Sequence, residues 1–455
     1  MENKVILDEL LAKARKAQAE FELLPQEKVD EAVKVIAKVV YDNAEPLAEM
    51  AVNETGLGNY PDKVAKNKGK SRVIWNNLKG KKSRGILERD EVTGITKVAK
   101  PMGVVGAITP TTNPIVTPMS NAMFALKGGN AIIVAPHPRS KKCSYRTVEL
   151  MRGELEKIGL NPDLIQCIAE PSIELTNALM PAVDVVIATG GMGMVKAVYS
   201  SGRPALGVGA GNVQVLIDRD VDFNEAVPKI IAGRAFDNGI ICSGEQTAIC
   251  PAEKFDEIMD IFAANKSFVV RDAADVEKFR KVIFDENGAM SRDALGQNAQ
   301  TVAKLAGFDI PEDTKVIILE ASGYGMDDVL AKEKMCPCIA AYKYDDFKDG
   351  VAIAKANLNR EGKGHSVSIH SNTVANIEYA AEELSASRFV VNQICASSAG
   401  GSFNNGLAPT NTLGCGSWGN NSISENLDYK HLMNVSRIAY FMKDNHVPTD
   451  EELWG

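Results

Sequence analysis

From Pro101 onward the chain alternates short apolar runs with longer amphipathic ones, and this rhythm restricts the fold more than any other feature. "GVVGAIT" predicts a strand, and "PIVTPMSNAMFALKGG" a helix opened by Pro114 and closed by glycines. "NAIIVAP" predicts a second strand and "SYRTVELMRGELEKIGL" a second helix. "LIQCIAE" and "VDVVIATGG" follow as strands, separated by "SIELTNALMPA". Strands that alternate with helices build a parallel, doubly wound α/β sheet, here running to about Val213. A second α/β set begins near "VQVLIDRDV". Its strands are predicted at "QTAICPA", "KVIILE", "CIAAYKY", "SVSIHS" and "RFVVNQ".

The first 80 or so residues predict helices, because Val29, Val33, Ile36, Val40 and Leu47 keep near-helical spacing. "SRGILERDEVTGITKVAKP" predicts a hairpin, and the closing "NVSRIAYFM" a strand that pairs with it. Between them lies "SSAGGSFNNGLAPTNTLGCGSWGNNSISENL", too long and polar for core and too rich in turn residues for a plain linker. Long loops of this kind are usually functional or mobile.

At 455 residues, about two or three domains are expected rather than one core. The apolar fraction is 45% and the charged fraction 24%, those of an ordinary globular protein. A net charge of -8 argues against a nucleic-acid or anionic-membrane partner. No apolar run approaches the roughly 20 residues of a membrane helix. "MENKVILDELLAKARKAQAEFELL" has the pattern of an amphipathic helix, not a signal peptide. Eight cysteines without framework spacing point to reduced thiols and a cytoplasmic location. No extended N-terminal tail of the microcompartment-targeting kind is evident, which fits the same expectation. "CPC" at Cys336 and Cys338 has no second pair nearby, so two thiols on a buried strand edge are expected and no metal site. "KGKSR" resembles the end of a phosphate-binding P-loop, but Val64 stands where its first glycine belongs.

Ligands of a doubly wound sheet bind beyond the C-terminal ends of its strands. Three turns fall there: "TPTTNP" after the first strand, "APHPRSKK" after the second and "ATGGMGMV" after the fourth. The last lets backbone N–H groups approach a diphosphate, although its spacing is not G-x-G-x-x-G. A tight structural turn explains "TGGMG" alone equally well, but the three turns together favour a nucleotide site.

Cys242, in "NGIICSGEQ", together with "TPTTNP", "TGGMG" and "EKMCP", resembles motifs of the aldehyde dehydrogenase superfamily. "PHPRSKK", "SSGRPALGVGAGN" and "TLGCGSWGNNSISEN" are similar to its CoA-acylating branch, most of all the CoA-dependent succinate-semialdehyde dehydrogenases. The resemblance covers essentially the whole chain. It implies a nucleotide-binding domain over residues 1–85 and 101–213, and a catalytic domain over 214–430. It further implies an oligomerisation arm over 86–100 and 431–455, hence a homodimer or higher homo-oligomer.

The implied activity interconverts an acyl-CoA, succinyl-CoA first, with its aldehyde, using NADP or NAD, with coenzyme A as co-substrate. Sulfoacetaldehyde and acetaldehyde are alternative substrates, and a non-catalytic nucleotide-binding protein is a rival of another class. A thiolate suits the task, because its acyl thioester exchanges with the CoA thiol almost isoenergetically. Cys242, placed at a strand–helix transition just after Gly239, is expected to have a lowered pKa. One oxyanion donor would be the Cys242 backbone N–H, and the other Thr112 or its neighbour Asn113. Asn113 has a competing reading, as the cap of the helix at Pro114.

Hydrolytic relatives carry a water-activating glutamate in an E-L-G-G-K pattern. Gly207 of "GVGAGN" takes its place here, which disfavours simple hydrolysis to a free acid. His365 is the implied proton-handling residue, with a structural histidine as the alternative, and Glu333 the implied partner of the nicotinamide ribose. The implied cofactor contacts are Thr109, Pro110, His137, Arg139, Lys141, Thr189, Gly190, Gly191, Met194 and Gly209. Arg139, Lys141 and Lys142 would permit a 2′-phosphate, or are solvated surface cations. Ser402, Asn404 and Asn405 are candidate donors to a substrate carboxylate, in a loop that otherwise sets no specificity.

Overall fold

The computed structural model describes residues 2–455; Met1 lies outside them. A five-stranded parallel sheet runs in the order Ile165–Cys167, Ala131–Pro136, Val104–Thr109, Val185–Thr189, Ala205–Val208. Every residue of Val104–Thr109 and Ala131–Pro136 is buried, as strands covered on both faces must be. Four of these strands match the expected apolar runs. The fifth, "ALGV", is short and interrupted by glycine, so it gives no strand signal of its own.

The helix Val116–Lys127 is buried along its whole length, which explains its lack of a polar face. It begins after Pro114, not at it, with Ile115 as N-cap and no capping side chain. The competing role for Asn113 is thereby corrected: its side chain caps nothing. Helices Glu2–Glu22, Gln26–Asp42, Ala44–Thr55 and Tyr60–Leu78 fill the first 80 residues, and Val29, Val33, Ile36, Val40 and Leu47 are all buried. The last of the four is unusual. It buries Lys63, Lys66, Asn67 and Ser71 along with its apolar residues.

A second, seven-stranded parallel sheet has the order Ser267–Val270, Val316–Glu320, Cys338–Tyr344, Thr247–Pro251, Gln214–Ile217, Gly364–His370, Ala386–Val391. Only the edge strand Ser267–Val270 has no counterpart among the expected runs. Cys336 and Cys338 are buried as expected, but Cys338 opens an interior strand rather than an edge. The third sheet is antiparallel: the hairpin Ile86–Asp90 and Ile95–Pro101 pairs with Met433–Ala439, setting Met433 opposite Pro101 and Ala439 opposite Ile95. Among the described residues no helix is long and apolar enough to cross a membrane.

The glycine- and asparagine-rich segment corrects another expectation. Thr410, Thr412, Leu413, Cys415, Asn426 and Leu427 are buried in it. Its polar groups enter the interior where buried side chains receive them, a cation among these. Arg388 donates to the Gly414 carbonyl at 2.8 Å, the His365 carbonyl at 2.7 Å, Asn426 Oδ1 at 3.1 Å and Ser366 Oγ at 3.1 Å. Asn426 in turn donates to the carbonyls of Ala399 and Ala408.

Replacing Arg388 by methionine would leave these buried acceptors without their donor, at about 1–3 kcal/mol for each unsatisfied group. The expected result for Arg388→Met is faster amide exchange across residues 409–427 by mass spectrometry. Exchange in the helix Gln26–Asp42 should stay at its original rate.

Candidate active site

The order of the five-stranded sheet reverses between its first and fourth strands in sequence, Val104–Thr109 and Val185–Thr189. Such a reversal opens a crevice beyond the strand ends. A cavity of about 530 Å³ occupies it, lined by Thr109 to Asn113 on one side and Thr189 to Gly191 on the other. Pro136, His137, Met194, Gly209, Cys242 and Glu333 complete much of the wall. The side-chain oxygens of Thr109, Thr111 and Thr189 are buried with no protein partner. Buried hydroxyls are normally bonded, so these three are placed for a ligand's polar groups. Gly191 caps the helix Met192–Tyr199, and a Cβ there would meet nothing within 4 Å, so the approach to the helix start is open. These features fit a dinucleotide.

The expected cofactor residues divide. Thr109, Pro110, His137, Thr189, Gly190, Gly191, Met194, Gly209 and Glu333 all line the cavity. Arg139 and Lys141 do not. Arg139 donates to the Thr55 carbonyl at 3.3 Å, and Lys141 is paired with Glu170. The backbone N–H groups of Lys142 and Cys143 are taken by the Glu54 carboxylate, at 2.8 and 2.7 Å. Two acids therefore offset the cations of this turn, which weakens the charge argument for a 2′-phosphate.

Cys242 lies in the turn between a 3₁₀ segment, Phe236–Gly239, and the strand Thr247–Pro251. The segment after Ala205–Val208 crosses directly behind it. A Cβ on Gly211 would fall 2.0 Å from the Cys242 carbonyl oxygen, so only glycine permits this approach. Cys242 keeps some surface on the cavity, but the pocket is dry enough to push its thiol up to about 12. Burial is the main cause, followed by Glu333 and Cys415, with Arg388 and Lys66 opposing. The expectation of a lowered thiol pKa is therefore corrected: Cys242 lies in a turn that leads into a strand, not at the start of a helix. Burial and Glu361 hold the Glu333 carboxyl up at about 8. Gly207 also departs from its expected place. It is buried in the strand under Tyr199, with which it exchanges two hydrogen bonds, and Gly209 and Ala210 are the residues that reach the cavity.

Thr112 and Asn113 both line the cavity. Asn113 Oδ1 accepts from Lys66 Nζ at 2.8 Å, and the same ammonium donates to Asp237 at 2.6 Å. The structure does not bring His365 to the cavity. It is fully buried at the start of the strand Gly364–His370, both ring nitrogens lack partners, and burial with Arg388 nearby drives its pKa well down. Nor are Ser402, Asn404 and Asn405 there. Ser402 Oγ accepts from the Asn404 N–H, and Asn405 donates to Gln393 and to the Ser398 carbonyl. Sequence reasoning missed Lys66, Lys70, Asp237 and Arg388. One signal was present: lysines 63, 66 and 70 share a helix face.

The aldehyde dehydrogenase family model matches residues 2–407. The chain belongs to the aldehyde dehydrogenase family. It is 55% identical over 455 residues, 100% of both chains, to an acetylating succinate-semialdehyde dehydrogenase of Clostridium kluyveri. The crystal structure of an acetylating aldehyde dehydrogenase from Geobacillus thermoglucosidasius matches with a TM-score of 0.94 and 34% identity, covering 99% of each chain. A propionaldehyde dehydrogenase of Rhodopseudomonas palustris, solved with CoA and an acylated cysteine, gives a TM-score of 0.87 at 26% identity. That match covers 95% of this chain and 97% of the other. The doubly wound α/β fold expected of the family is the one observed.

The Glu333 charge opposes the Cys242 thiolate only once Glu333 has ionised, near pH 8. Glu333→Gln should therefore speed iodoacetamide alkylation of Cys242 about three- to tenfold at about pH 9.5, one pKa unit being tenfold in thiolate. At about pH 6.5, where both side chains are neutral, the two proteins should react at equal rates. Peptide mass spectrometry of timed samples reads both.

Proposed function

We propose that this chain is a CoA-acylating aldehyde dehydrogenase that interconverts succinyl-CoA and succinate semialdehyde with NADP or NAD. The observation that carries this reading is a single thiol, Cys242, in a dinucleotide-sized cavity whose wall at positions 209 and 210 bears no carboxylate. The 55% identity to the Clostridium kluyveri enzyme supports the substrate, and the acylated cysteine of the Rhodopseudomonas palustris structure supports the route.

Cys242 Sγ, once deprotonated, attacks the aldehyde carbon, and the carbonyl electrons move onto oxygen. The Cys242 N–H and a side-chain donor from Thr112 or Asn113 hold that oxyanion. A bound nicotinamide would supply the hydride exchange that relates the resulting thiohemiacetal to a thioester on Cys242. The CoA thiolate then attacks the thioester carbon and expels the Cys242 thiolate, leaving acyl-CoA. With no base at positions 207, 209 or 210, water is a poor competitor for the acyl group. Thr109, Thr189, Gly190, Gly191 and Met194 would hold the cofactor, and Glu333 its ribose hydroxyls. His365, buried away from the cavity, would reach the reacting atoms only through rearrangement of its strand.

Residues 1–85 with 101–213 form the nucleotide-binding domain in this reading, residues 214–430 the catalytic domain, and 86–100 with 431–455 the arm. The arm exposes Tyr440, Phe441 and Trp454, apolar surface suited to a second copy of the chain in a homodimer or larger assembly. Eight free thiols suit a cytoplasmic enzyme.

A panel of acyl-CoAs, assayed with NADPH and with NADH, tests the reading. Succinyl-CoA should exceed acetyl-CoA by at least about tenfold in kcat/KM. Cys242→Ser should lower kcat by at least about 10³-fold. With aldehyde and oxidised cofactor but no CoA, one acyl group should accumulate on Cys242, seen by mass spectrometry. Steady release of free acid under those conditions would defeat the proposal.

A further inference from the structure

The fourth helix turns three lysines inward, and only one of them touches a residue of the cavity wall. Lys66 Nζ lies 2.8 Å from Asn113 Oδ1 and 2.6 Å from Asp237 Oδ2. Its remaining side faces the Phe236 ring, with the centroid 5.5 Å away. The side chain is 6% exposed, so water has little access to it. Two of its three donors are committed to these oxygens, and Lys66 does not itself line the cavity.

We propose that Lys66 is a positioning residue: it fixes the Asn113 amide with its NH₂ turned to the cavity, making Asn113 rather than Thr112 the side-chain oxyanion donor. This deepens, and rests on, the reading of Cys242 as nucleophile. An ammonium has three donors and no acceptor. It can bind only the oxygen of a side-chain amide, and a flipped amide would set N–H against N–H. The Asn113 nitrogen is left with a single long contact, 3.4 Å to Thr112 Oγ1. At least one of its hydrogens has no protein acceptor, and the residue lines the cavity. The structure shows no comparable tie on the Thr112 hydroxyl. A donor fixed before the reaction stabilises developing charge better than one that must first reorient.

Asp237 completes the device. It is fully buried, and it accepts from Lys63 at 3.1 Å, Lys66 at 2.6 Å and the Asn59 N–H at 3.0 Å. Its own N–H donates to Asp62 at 2.7 Å. Asp237 and Asn238 both adopt left-handed backbone, with φ of 51° and 53°, a conformation that few residues tolerate without such restraint. Cys242 follows a few residues later. One carboxylate thus anchors both the turn carrying the sulfur and the lysine that orients the donor.

A double-substitution cycle tests this. Asn113→Ala should lower kcat by about 100-fold or more, with KM for the acyl-CoA within about threefold. Lys66→Met should lower kcat by about tenfold or more. The double variant should be no slower than Asn113→Ala alone, because the lysine acts through the amide. Losses that multiply would overturn the proposal. So would full activity in Asn113→Ala while Cys242→Ser is inactive, an outcome that leaves the nucleophile reading standing. Activity persisting in Cys242→Ser would strike that reading itself. Should Lys66→Met fail to fold, neutron diffraction of the unsubstituted protein decides by locating the amide deuterons. Deuterons on the cavity side support the proposal, and deuterons facing Lys66 refute it.

Discussion

A carboxylate with no exposure to solvent, Asp237, holds two lysines of one helix against the turn that leads to the nucleophile. Isolated buried charge is expensive, so each member of this cluster requires the others. The helix comes from the first 80 residues and the turn from the border of the seven-stranded sheet. The cavity wall at Thr112 and Asn113 comes from the five-stranded sheet. Three separate stretches of chain therefore meet at one charged point. Gly58 marks how tightly they meet: a Cβ there would lie 1.9 Å from the Asp237 carboxylate.

The electrostatics of the pocket are mixed for a reason that geometry supplies. Burial and Glu333 disfavour the thiolate of Cys242, while Lys66 and Arg388 favour it. Arg388 also donates to the Gly414 carbonyl and the Asn426 side chain of the glycine-rich segment. Packing of that segment and the field on the sulfur thus depend on the same guanidinium. Lys70 belongs to this set too. It donates to the carbonyls of Gly400 and Thr410, and burial lowers it to about 8.

Much of the fold was legible because apolar runs and turn residues alternate so regularly. The long buried strands, the hairpin and the closing strand all follow from local pattern. Ala205–Val208 escapes because a glycine interrupts its apolar run, and Ser267–Val270 because it is a short edge strand that is only partly buried. The start of the helix at Val116 escapes because Pro114 mimics an opening residue. In the site, the turns at strand ends and Cys242 are visible as motifs. Asp237 and Arg388 are not, since a buried charge has no local signature and its partners lie far away in sequence, and Lys66 shows only through the helix face it shares with Lys63 and Lys70. The same limit explains Ser402, Asn404 and Asn405. Their polarity suggested a ligand, yet Ser402 accepts from the Asn404 N–H and Asn405 bonds Gln393 and the Ser398 carbonyl, all away from the cavity.

The absence of a carboxylate where Gly207, Gly209 and Ala210 lie has a thermodynamic consequence for the proposed reaction. An acyl group that passes from one sulfur to another never falls to the low free energy of a carboxylate salt. Little driving force is dissipated, and the equilibrium stays close enough to balance for mass action to choose the direction. The ratio of reduced to oxidised nicotinamide, together with the supply of unacylated CoA, would then decide whether such a protein consumes an aldehyde or makes one.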